Sequence, residues 1–446
     1  MQTSLQGIAE KARRDKKYRF RDLYRLLNEE NLVDSWKCMN LKAASGVDRT
    51  TAREYKENLR ENIRALAARL KEKRYRAKLV RRVYIPKSNG KLRPLGIPAT
   101  EDKLVQTAAA RILNAIFEQD FLPVSFGYRP DVGAREAVQA LTSMLYWGRF
   151  HYLVDADIKG FFDTIDHEWL IRMLEQRIDD KAFIGLIRKW LKAGVLLPEG
   201  RVEQPATGTP QGGIVSPVLA NIYLHYVLDL WFEKVVKPRC EGEAYLCRYA
   251  DDFIAAFHYK GDAEKFYEAL ERRLLKFGLT VAVDKTRVLR FTRFRKAEGV
   301  RFEFLGFEFR WGTDRKGRDV IKRRTSRTRF RKSLKNLTEW CRESRCFRLE
   351  KLFSLLNSKF RGYYNYYGVI GNWGSLKEFY ELARRILYKW LNRRSQKRSF
   401  NYSGFSAVLK RYRIEKPRIT EKLHTKFTSC GLDLLRKRVS LKSPVR

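Results

Sequence analysis

An acidic turn between two apolar segments is the feature that most constrains the fold of this chain. Residues 248–257 read RYADDFIAAF, and the apolar residues 245–247 precede them. The pattern predicts a strand, a tight turn and a second strand, with Asp251 and Asp252 at the turn. Asp is a common turn residue, but two adjacent carboxylates each raise the free energy of ionising the other unless a cation lies near them. Taken alone, the stretch fits an ordinary turn and a metal site about equally well.

A second acidic stretch, LVDADIKGFFDTIDHEWL at 153–170, begins with a predicted strand that ends near Asp157. If this strand lies beside the hairpin, the carboxylates of Asp157, Asp251 and Asp252 converge. Mg²⁺ prefers hard oxygen ligands and keeps positions for water and phosphate, so such carboxylates suit two ions roughly 3.5 to 4 Å apart. Three further acids are interpreted as turn, cap or salt-bridge residues: Asp155, Asp163 and Asp166.

The charge of the chain narrows the class of partner. Lys and Arg total 93 against 51 Asp and Glu over 446 residues, a formal net charge of +42 that is spread along the sequence. This excess favours a large polyanion, with nucleic acid first and a membrane surface or ribosomal-type structural binding as alternatives. No segment approaches the roughly 18 apolar residues of a membrane span and no signal pattern appears, so we expect no membrane partner.

The six cysteines form no C-x-x-C pair and lie at 38, 240, 247, 341, 346 and 430. This spacing indicates reduced thiols in a cytosolic protein. The alternative is a zinc ion held by Cys341, Cys346, His424 and Cys430, and buried structural thiols fit better.

Periodicity predicts the coarse organisation of the N-terminal half. Residues 1–75 are expected to be helical, with a capping box from Thr51 to Glu54 before one apolar stripe. The stripe is Tyr55, Leu59, Ile63, Leu66 and Leu70. Residues 80–98 alternate apolar and basic residues about a turn at 88–90, which predicts a basic hairpin. Helices are expected at 101–118 and at 166–178, the second capped by Asp166.

Beyond about residue 320 the pattern predicts basic helices with two apolar faces. One face is Phe330, Leu334, Leu337 and Cys341, and the other is Phe379, Leu382, Ile386 and Trp390. These faces fit either solvated helices over a small core or a basic clamp on a duplex. The clamp is favoured by the basic residues that follow: Arg393, Arg394, Lys397 and Arg398.

Six motifs occur together and in order, and they cover the chain from about residue 40 to 310. They are IPKSNGKLRPLGIP at 85–98, SFGYRP at 125–130, DIKGFFD at 157–163, GTPQGGIVSPVLANIYL at 208–224, YADD at 249–252 and FLGF at 304–307. This set closely resembles the group II intron-encoded reverse transcriptases, also called maturases. The likeness extends to three further stretches: GVD at 46–48, RGYYNYYGV at 361–369 and WLNRRSQKRS at 390–399.

The resemblance implies an α+β right-hand polymerase fold, in which an antiparallel palm sheet with helices and fingers is followed by an α-helical thumb. The expected domains are a helical N-terminal extension at 1–75, fingers and palm at 76–315, a helical thumb or maturase (X) domain at 316–400 and a basic tail at 401–446, which would include a short DNA-binding segment. Many members carry an HNH endonuclease after the thumb. This sequence shows no such module, which implies a compact, endonuclease-free member.

The resemblance also assigns the acids. Asp157, Asp251 and Asp252 match the catalytic residues of the family and, with the backbone carbonyl of Ile158, would hold two Mg²⁺ ions, for which Mn²⁺ would substitute. Tyr249, Leu305 and Gly306 match positions that contact the primer end, although burial alone would also explain them.

Five residues match the nucleotide-binding positions of the family: Lys87, Arg93, Phe162, Gln211 and Lys285. Lys87 and Arg93 would grip the triphosphate, and Lys285 would protonate the leaving pyrophosphate. Phe162 would stack beneath the deoxyribose and exclude a 2′-hydroxyl, unless it is a core residue like its neighbour Phe161. Lys285 also fits an ordinary surface lysine.

The function implied is an RNA-directed DNA polymerase that copies intron RNA into cDNA, with intron RNA, a DNA target or primer and dNTPs as partners. A maturase role in splicing is expected beside it, in the bacterial cytoplasm or an organelle. Two alternatives remain: an RNA-binding splicing cofactor without polymerase use, and a host-domesticated reverse transcriptase in defence or DNA repair. An RNA-dependent RNA polymerase has a similar palm, but Phe162 and Ala250 fit reverse transcriptases better.

Overall fold

The structure, a computed structural model, describes residues 2–86, 90, 92–209, 212–394 and 399–421. Its helices are α1 Gln2–Arg14, α2 Glu29–Lys37, α3 Ala52–Glu57, α4 Leu59–Lys71, α5 Thr100–Phe117, α6 Ala134–Trp147, α7 Phe161–Thr164, α8 His167–Glu175, α9 Lys181–Leu191, α10 Ser216–Leu224, α11 Lys260–Lys276, α12 Arg327–Ser344, α13 Leu349–Tyr367, α14 Trp373–Leu391 and α15 Tyr402–Arg411. Its strands are β1 Val80–Pro86, β2 Leu92–Ile97, β3 Tyr152–Asp157, β4 Val195–Leu196, β5 Val202–Glu203, β6 Ala244–Tyr249, β7 Asp252–Phe257, β8 Arg287–Arg290, β9 Arg301–Phe304, β10 Phe307–Thr313 and β11 Asp319–Thr325.

The N-terminal region is helical, and its predicted capping box is present. The Thr51 hydroxyl accepts from the Glu54 N–H, and the Glu54 carboxylate accepts from the Thr51 N–H. The apolar stripe is divided at Asn58, where α3 ends and α4 begins. Four of its five residues are buried: Tyr55, Ile63, Leu66 and Leu70.

The predicted basic hairpin is formed by β1 and β2, which pair antiparallel with Ile85 opposite Arg93. Residues 87–89 and 91 of its turn lie outside the described part of the chain. On its other side β1 pairs with β4, so the sheet has the order β2-β1-β4-β5. The two predicted helices appear as α5 and α8, and the Asp166 carboxylate accepts from the Trp169 N–H as the N-cap of α8.

A four-stranded antiparallel sheet with the order β6-β7-β3-β8, here called the palm sheet, lies at the centre of the protein. Alternate side chains of β7 face opposite sides, as a strand requires. Phe253 and Phe257 enter a core shared with the N-terminal helices, whereas Ile254 enters a core shared with the C-terminal helices. The palm sheet is therefore buried on both faces.

The C-terminal region departs from the prediction in two places. A three-stranded sheet, β11-β10-β9, continues to Thr325, so the helices begin at Arg327 and not near residue 320. The pattern did not predict this strand because three consecutive basic residues, 322–324, interrupt the apolar–polar alternation of a strand. The positions of the domain boundaries stay predictions.

The second departure concerns the buried face of α14. The face predicted from Phe379, Leu382, Ile386 and Trp390 is correct only in part: Phe379 is buried, the other three are half-buried, and of these Ile386 and Trp390 pack against the core. The buried row is instead Leu376, Phe379, Ala383, Leu387 and Leu391. Ala383 lies in the middle of this row, where a small side chain lets neighbouring helices pack closely. An alanine adds little to an apolar periodicity, so the pattern did not predict that this position is buried. The face predicted for α12 is correct: Leu337 and Cys341 are buried, and Phe330 and Leu334 pack against the same core.

Five cysteines lie in the described residues, and all are free thiols: Cys38, Cys240, Cys247, Cys341 and Cys346. Cys341 is buried, and the other two residues of the alternative zinc set, at 424 and 430, fall outside the described residues. Across the ranges that the structure describes, no helix combines the length and apolar character needed to cross a membrane.

Candidate active site

The three predicted acids meet at one end of the palm sheet. Asp157, the last residue of β3, lies directly opposite Asp252, the first residue of β7. Tyr249 lies opposite Asp252 on the other side, so Ala250 and Asp251 form a two-residue turn between β6 and β7. Ala250 has a φ of +56°, the left-handed conformation that such turns need. The register of the sheet therefore brings together residues that lie far apart in the sequence.

These carboxylates are crowded and short of positive charge. Burial, the largest cause, and repulsion from Asp155, Asp157 and Asp251 together raise the pKa of Asp252 to about 8, although the charge of Lys285 opposes the rise. Burial also raises the pKa of Asp251, and Asp157 adds to the rise. A shift of this direction means that the ionised cluster is destabilised until a cation balances it.

One cation from the chain already contacts the cluster. The Lys285 ammonium donates to the Asp157 carboxylate, and this hydrogen bond is the largest cause of the raised pKa of Lys285. The loop that carries Lys285 is tied to β3, because the Ala282 N–H donates to the Asp157 carbonyl at 2.8 Å. As the side chains stand in the described part of the chain, no group of three or more His, Cys, Asp or Glu residues is arranged to hold a metal ion. Asp157 is instead paired with Lys285.

Ile158 follows Asp157, and its side chain is buried. Its backbone forms an isolated antiparallel bridge with Val281, which belongs to the same loop as Lys285. The role of its carbonyl as a metal ligand stays a prediction.

The predicted nucleotide side of the site is lined by Arg93, Phe162 and Tyr128. Arg93 is exposed on β2, and its charge acts on Asp251, whose pKa it lowers against the larger effect of burial. Phe162 is half-buried on α7, whereas Phe161 is fully buried and is the core member of the pair. The ring of Phe162 meets that of Tyr128 edge to face at 6.3 Å.

Tyr128 was not predicted as a site residue, although it belongs to the SFGYRP motif. Its side chain is 49% exposed and its φ is +56°. Burial raises the pKa of its hydroxyl, followed by the charge of Asp251. A left-handed, exposed tyrosine inside a motif is the signal that would have indicated a site role.

Lys87 and Gln211 lie outside the described residues. The glycines around Gln211 are described, and they pack closely. A Cβ added to Gly208 would lie 2.8 Å from the Phe162 carbonyl oxygen, and one added to Gly212 would lie 2.4 Å from the Gly96 carbonyl oxygen. The Gly-rich loop is thus held at one end by α7 and at the other by β2.

The predicted primer-contact turn joins β9 to β10. Leu305 and Gly306 both have positive φ, +50° and +78°. Tyr366 of α13, which was not predicted as a site residue, donates from its hydroxyl to the Leu305 carbonyl at 2.9 Å. Its ring also stacks on that of Phe307 at 5.9 Å.

Tyr366 also reaches the neighbourhood of the acids. Burial raises the pKa of its hydroxyl to about 12, and Tyr249 and Asp252 contribute to the rise. The C-terminal helices and the palm therefore meet at the turn of Leu305 and Gly306. Tyr366 belongs to the RGYYNYYGV motif, but nothing in the motif distinguishes it from its neighbouring tyrosines.

Comparison with known protein families shows the family to which this chain belongs. The family model for reverse transcriptase (RNA-dependent DNA polymerase) matches residues 85–309, which are 225 of the 446 residues. The chain belongs to the reverse transcriptase family. The model for the group II intron maturase-specific domain matches residues 327–412, which contain α12 to α15. The resemblance to group II intron reverse transcriptases and maturases, inferred from the motifs, is thus confirmed.

Several curated proteins are similar to this reverse transcriptase over part of its length. Protein YkfC of Escherichia coli K12 is 35% identical over 237 residues, 47% of this chain and 62% of its own. The group II intron-encoded protein LtrA of Lactococcus lactis subsp. cremoris is 44% identical over 175 residues, 38% of this chain and 29% of its own. The putative COX1/OXI3 intron 1 protein of Saccharomyces cerevisiae is 30% identical over 260 residues, 48% and 31% respectively. The chain thus spans less than two thirds of each of these relatives.

Proposed function

We propose that this reverse transcriptase is an RNA-directed DNA polymerase of the group II intron type, which copies intron RNA into cDNA. The observation that carries the proposal is the opposed pair of Asp157 and Asp252 with Asp251 in the adjoining turn, at one end of the palm sheet. Its substrates are an RNA template, a DNA primer or target and dNTPs. Its place of action, the bacterial cytoplasm or an organelle, follows from that role.

The donor set fits a pair of Mg²⁺ ions, or Mn²⁺ in their place. The three carboxylates provide hard oxygen ligands, and the raised pKa values of Asp251 and Asp252 indicate a cluster that a divalent cation would stabilise. Asp157, Asp251 and Asp252 would hold the metal, with the Ile158 carbonyl as a further ligand. When bound, the metal would activate the primer hydroxyl and balance charge on the leaving pyrophosphate.

The cationic side chains proposed to act beside the three carboxylates, Lys285, Arg93 and Lys87, have different roles. Lys285 stabilises the Asp157 carboxylate in the free enzyme. With Asp157 holding a metal, the Lys285 ammonium would be free to act beside the phosphates as a proton donor for the leaving pyrophosphate. Arg93 lies close enough to act on Asp251 and would grip the triphosphate, together with Lys87 of the same hairpin.

Phe162 supplies sugar selection. Its ring is half-buried and packs edge to face against the rings of the buried Phe161 and the exposed Tyr128, so part of its surface is left free to contact a sugar. A deoxyribose fits over such a ring, whereas a 2′-hydroxyl would collide with it. The role of Gln211 in contacting the nucleotide or the template base pair belongs to the same proposal.

A second function, assistance of intron splicing, is supported by the maturase-specific match over residues 327–412. The first helix of that region, α12, carries five cations and no Asp or Glu in its first half. Those cations are Arg327, Arg329, Arg331, Lys332 and Lys335. Such a helix binds an RNA backbone through phosphate contacts, whose strength falls with salt.

The test is extension of a DNA primer on an RNA template with Mg²⁺ and dNTPs. Wild type is compared with Asp251→Asn and with Asp179→Asn, whose carboxylate pairs with Arg19 and Arg21 on the N-terminal region. We expect extension by wild type and by Asp179→Asn and none by Asp251→Asn, with RNA affinity equal in all three. RNA binding by wild type without any DNA synthesis would contradict the polymerase proposal and favour a splicing cofactor.

A further inference from the structure

Arg248 is the residue of β6 that precedes Tyr249, and it is completely buried, with 0% of its side chain exposed. A guanidinium is always charged, and its transfer from water into a protein core costs free energy unless its charge and its donors are satisfied. Among the described residues only four Lys or Arg are buried, namely Lys103, Arg177, Arg248 and Arg323, so a fully buried arginine beside the acidic turn needs a specific reason.

The contacts of Arg248 satisfy its charge. Its Nε donates to Asp229 Oδ1 at 2.7 Å and its Nη2 donates to Asp229 Oδ2 at 2.6 Å, a two-pronged pair with a carboxylate that is also 0% exposed. This geometry uses the planar fork of arginine, which lysine lacks. The pair is therefore a closed unit of opposite charges inside the core.

The remaining N–H groups of Arg248 reach three other elements. Nη1 donates to the Ala250 carbonyl at 3.1 Å and to Asn221 Oδ1 at 3.2 Å. Nη2 donates to the Ser125 hydroxyl at 2.7 Å. The five N–H groups of the guanidinium thus have five acceptors, and one of these acceptors is the backbone of the acidic turn.

The partners of Arg248 are themselves fixed around the turn. Asp229 lies in a π-helical stretch, His225–Asp229, that continues α10, and π-helical turns are rare and often found at functional sites. Asn221 of α10 donates from Nδ2 to the Gly127 carbonyl at 2.6 Å. A Cβ on Gly127 would lie 2.5 Å from the Ala250 N, so the segment 125–127 packs directly against the turn.

Ala250 is held in a conformation that a non-glycine residue rarely adopts, with φ at +56°. Such a conformation persists only where the surroundings determine it. The Arg248 guanidinium binds the carbonyl of this residue, and Asp251 and Asp252 follow it immediately. Displacement of the Ala250 carbonyl would therefore displace both carboxylates relative to Asp157.

We propose that Arg248 is a positioning residue for DNA synthesis, which holds the turn of Ala250 so that Asp251 and Asp252 face Asp157. The inference rests on the proposed polymerase function. Arg248 does not touch the substrate and acts only through the backbone of the turn. Asp229 balances its charge, and Asn221 and Ser125 orient its plane.

A second buried arginine provides a matched control. Arg177 is 2% exposed, and its Nε lies 3.0 Å from Asp120 Oδ2. It also donates to the carbonyls of Ala12 and Asp15 at the end of α1. Arg177 is buried to a similar extent, whereas Asp120 keeps 12% of its side chain exposed and also pairs with Lys16. The contacts of Arg177 join the end of α1 to the segments that follow α5 and α8, and they do not involve the acidic turn.

The experiment compares charge-balanced double variants, because removal of one partner would leave a buried charge unpaired. They are Arg248→Met with Asp229→Leu, and Arg177→Met with Asp120→Leu. Thermal unfolding, affinity for the RNA–DNA primer–template, and kcat and KM for dNTP are measured on both and on wild type. For the Arg248 pair we expect kcat to fall about 100-fold, with KM and primer–template affinity within about threefold, because displaced catalytic groups lower kcat. For the Arg177 pair we expect a similar loss of thermal stability and an unchanged kcat.

Arg248→Lys separates positioning from stability. Lysine keeps the charge opposite Asp229, but its single ammonium cannot hold both that carboxylate and the Ala250 carbonyl in one plane. We expect thermal stability closer to that of wild type than in the double variant, with kcat still lowered about 10-fold or more. If the double variant does not fold, the kcat of Arg248→Lys by itself tests the positioning role.

Two results would overturn the inference. One is a kcat within about threefold of wild type in Arg248→Lys, and the other is an equal fall of kcat in both double variants. Wild type and Asp251→Asn are assayed in parallel. Inactive wild type would refute the polymerase proposal itself, whereas active wild type with active Arg248 variants would refute only the positioning role.

Discussion

Asp157 and Asp252 lie directly opposite each other on the two central strands of the palm sheet. Side chains of an opposed antiparallel pair project to the same face, with their Cβ atoms roughly 4.5 to 5.5 Å apart. Like charges in this position destabilise a sheet, and here Asp251 in the next turn adds a third. The sheet therefore carries a local loss of stability at the place where the proposed chemistry needs carboxylates.

Asp252→Asn tests this balance of stability against activity. Removal of one carboxylate relieves the repulsion, so the apparent Tm without divalent ions should rise by about 2 °C, the equivalent of about 1 kcal/mol. DNA synthesis should be lost. Thermal unfolding in chelator and primer extension measure the two effects, and Asp179→Asn serves as the surface control. A lower Tm for Asp252→Asn would mean that its carboxylate stabilises the fold.

Phe162→Ala should admit ribonucleotides. The ring contacts Tyr128 on its open side, and its removal makes room for a 2′-hydroxyl. We expect the preference for dNTP over rNTP to fall by about 10-fold or more in single-nucleotide extension, a loss of at least about 1.4 kcal/mol of discrimination. Phe161→Leu, in the core beneath, should lower the Tm and leave the preference unchanged. An equal preference for dNTP over rNTP in Phe162→Ala and wild type would show that Phe162 does not select the sugar.

Tyr366→Phe should weaken use of the primer end. The change deletes the hydrogen bond from the Tyr366 hydroxyl to the Leu305 carbonyl, worth about 1 kcal/mol. Extension from the primer terminus should slow several-fold at unchanged KM for dNTP. Tyr388→Phe, which deletes a similar bond to the Phe400 carbonyl in the C-terminal helices, should leave extension unaffected. Equal effects of the two substitutions would show that general stability, not the turn of Leu305, determines the rate.

His225 should make stability depend on pH. Burial, the largest cause, lowers the pKa of His225 to about 4, and the described residues offer its Nδ1 no hydrogen-bond partner. The folded state therefore keeps the ring neutral between about pH 6.5 and 4, where the unfolded chain takes up a proton, so this contribution to stability falls as the pH falls.

The variant His225→Phe isolates that contribution, because it removes the titrating group but keeps an aromatic ring, which would pack edge to face against Phe121 as the imidazole does. Between pH 7.5 and 5.5, wild type should lose about 1 kcal/mol more in the free energy of unfolding than His225→Phe. Urea unfolding at the two pH values measures the difference. Equal losses in wild type and variant would mean that His225 is protonated in the folded state or titrates alike in both states.

The sequence by itself determined the elements whose signals are local. The Thr51–Glu54 capping box, the N-cap at Asp166 and the hairpin around Asp251 depend on residues a few positions apart, and the structure has all of them. The ordered motifs also indicated the family, because they contain the candidate catalytic and nucleotide-binding residues, whose types depend on the chemistry and not on the packing. The strand at Asp319–Thr325 was not predicted and the buried face of α14 was predicted only in part, since both depend on what lies against them.

Only the tertiary structure decided how these elements act together. The register that sets Asp157 opposite Asp252 joins segments nearly a hundred residues apart, and a slip of one residue would turn one carboxylate to the other face. Arg248 and Tyr366 resemble any other arginine or tyrosine of this basic, aromatic chain until the fold buries one beside Asp229 and brings the other to Leu305. Burial and long-range contacts distinguish them, and both are properties of the packed chain that no local pattern records.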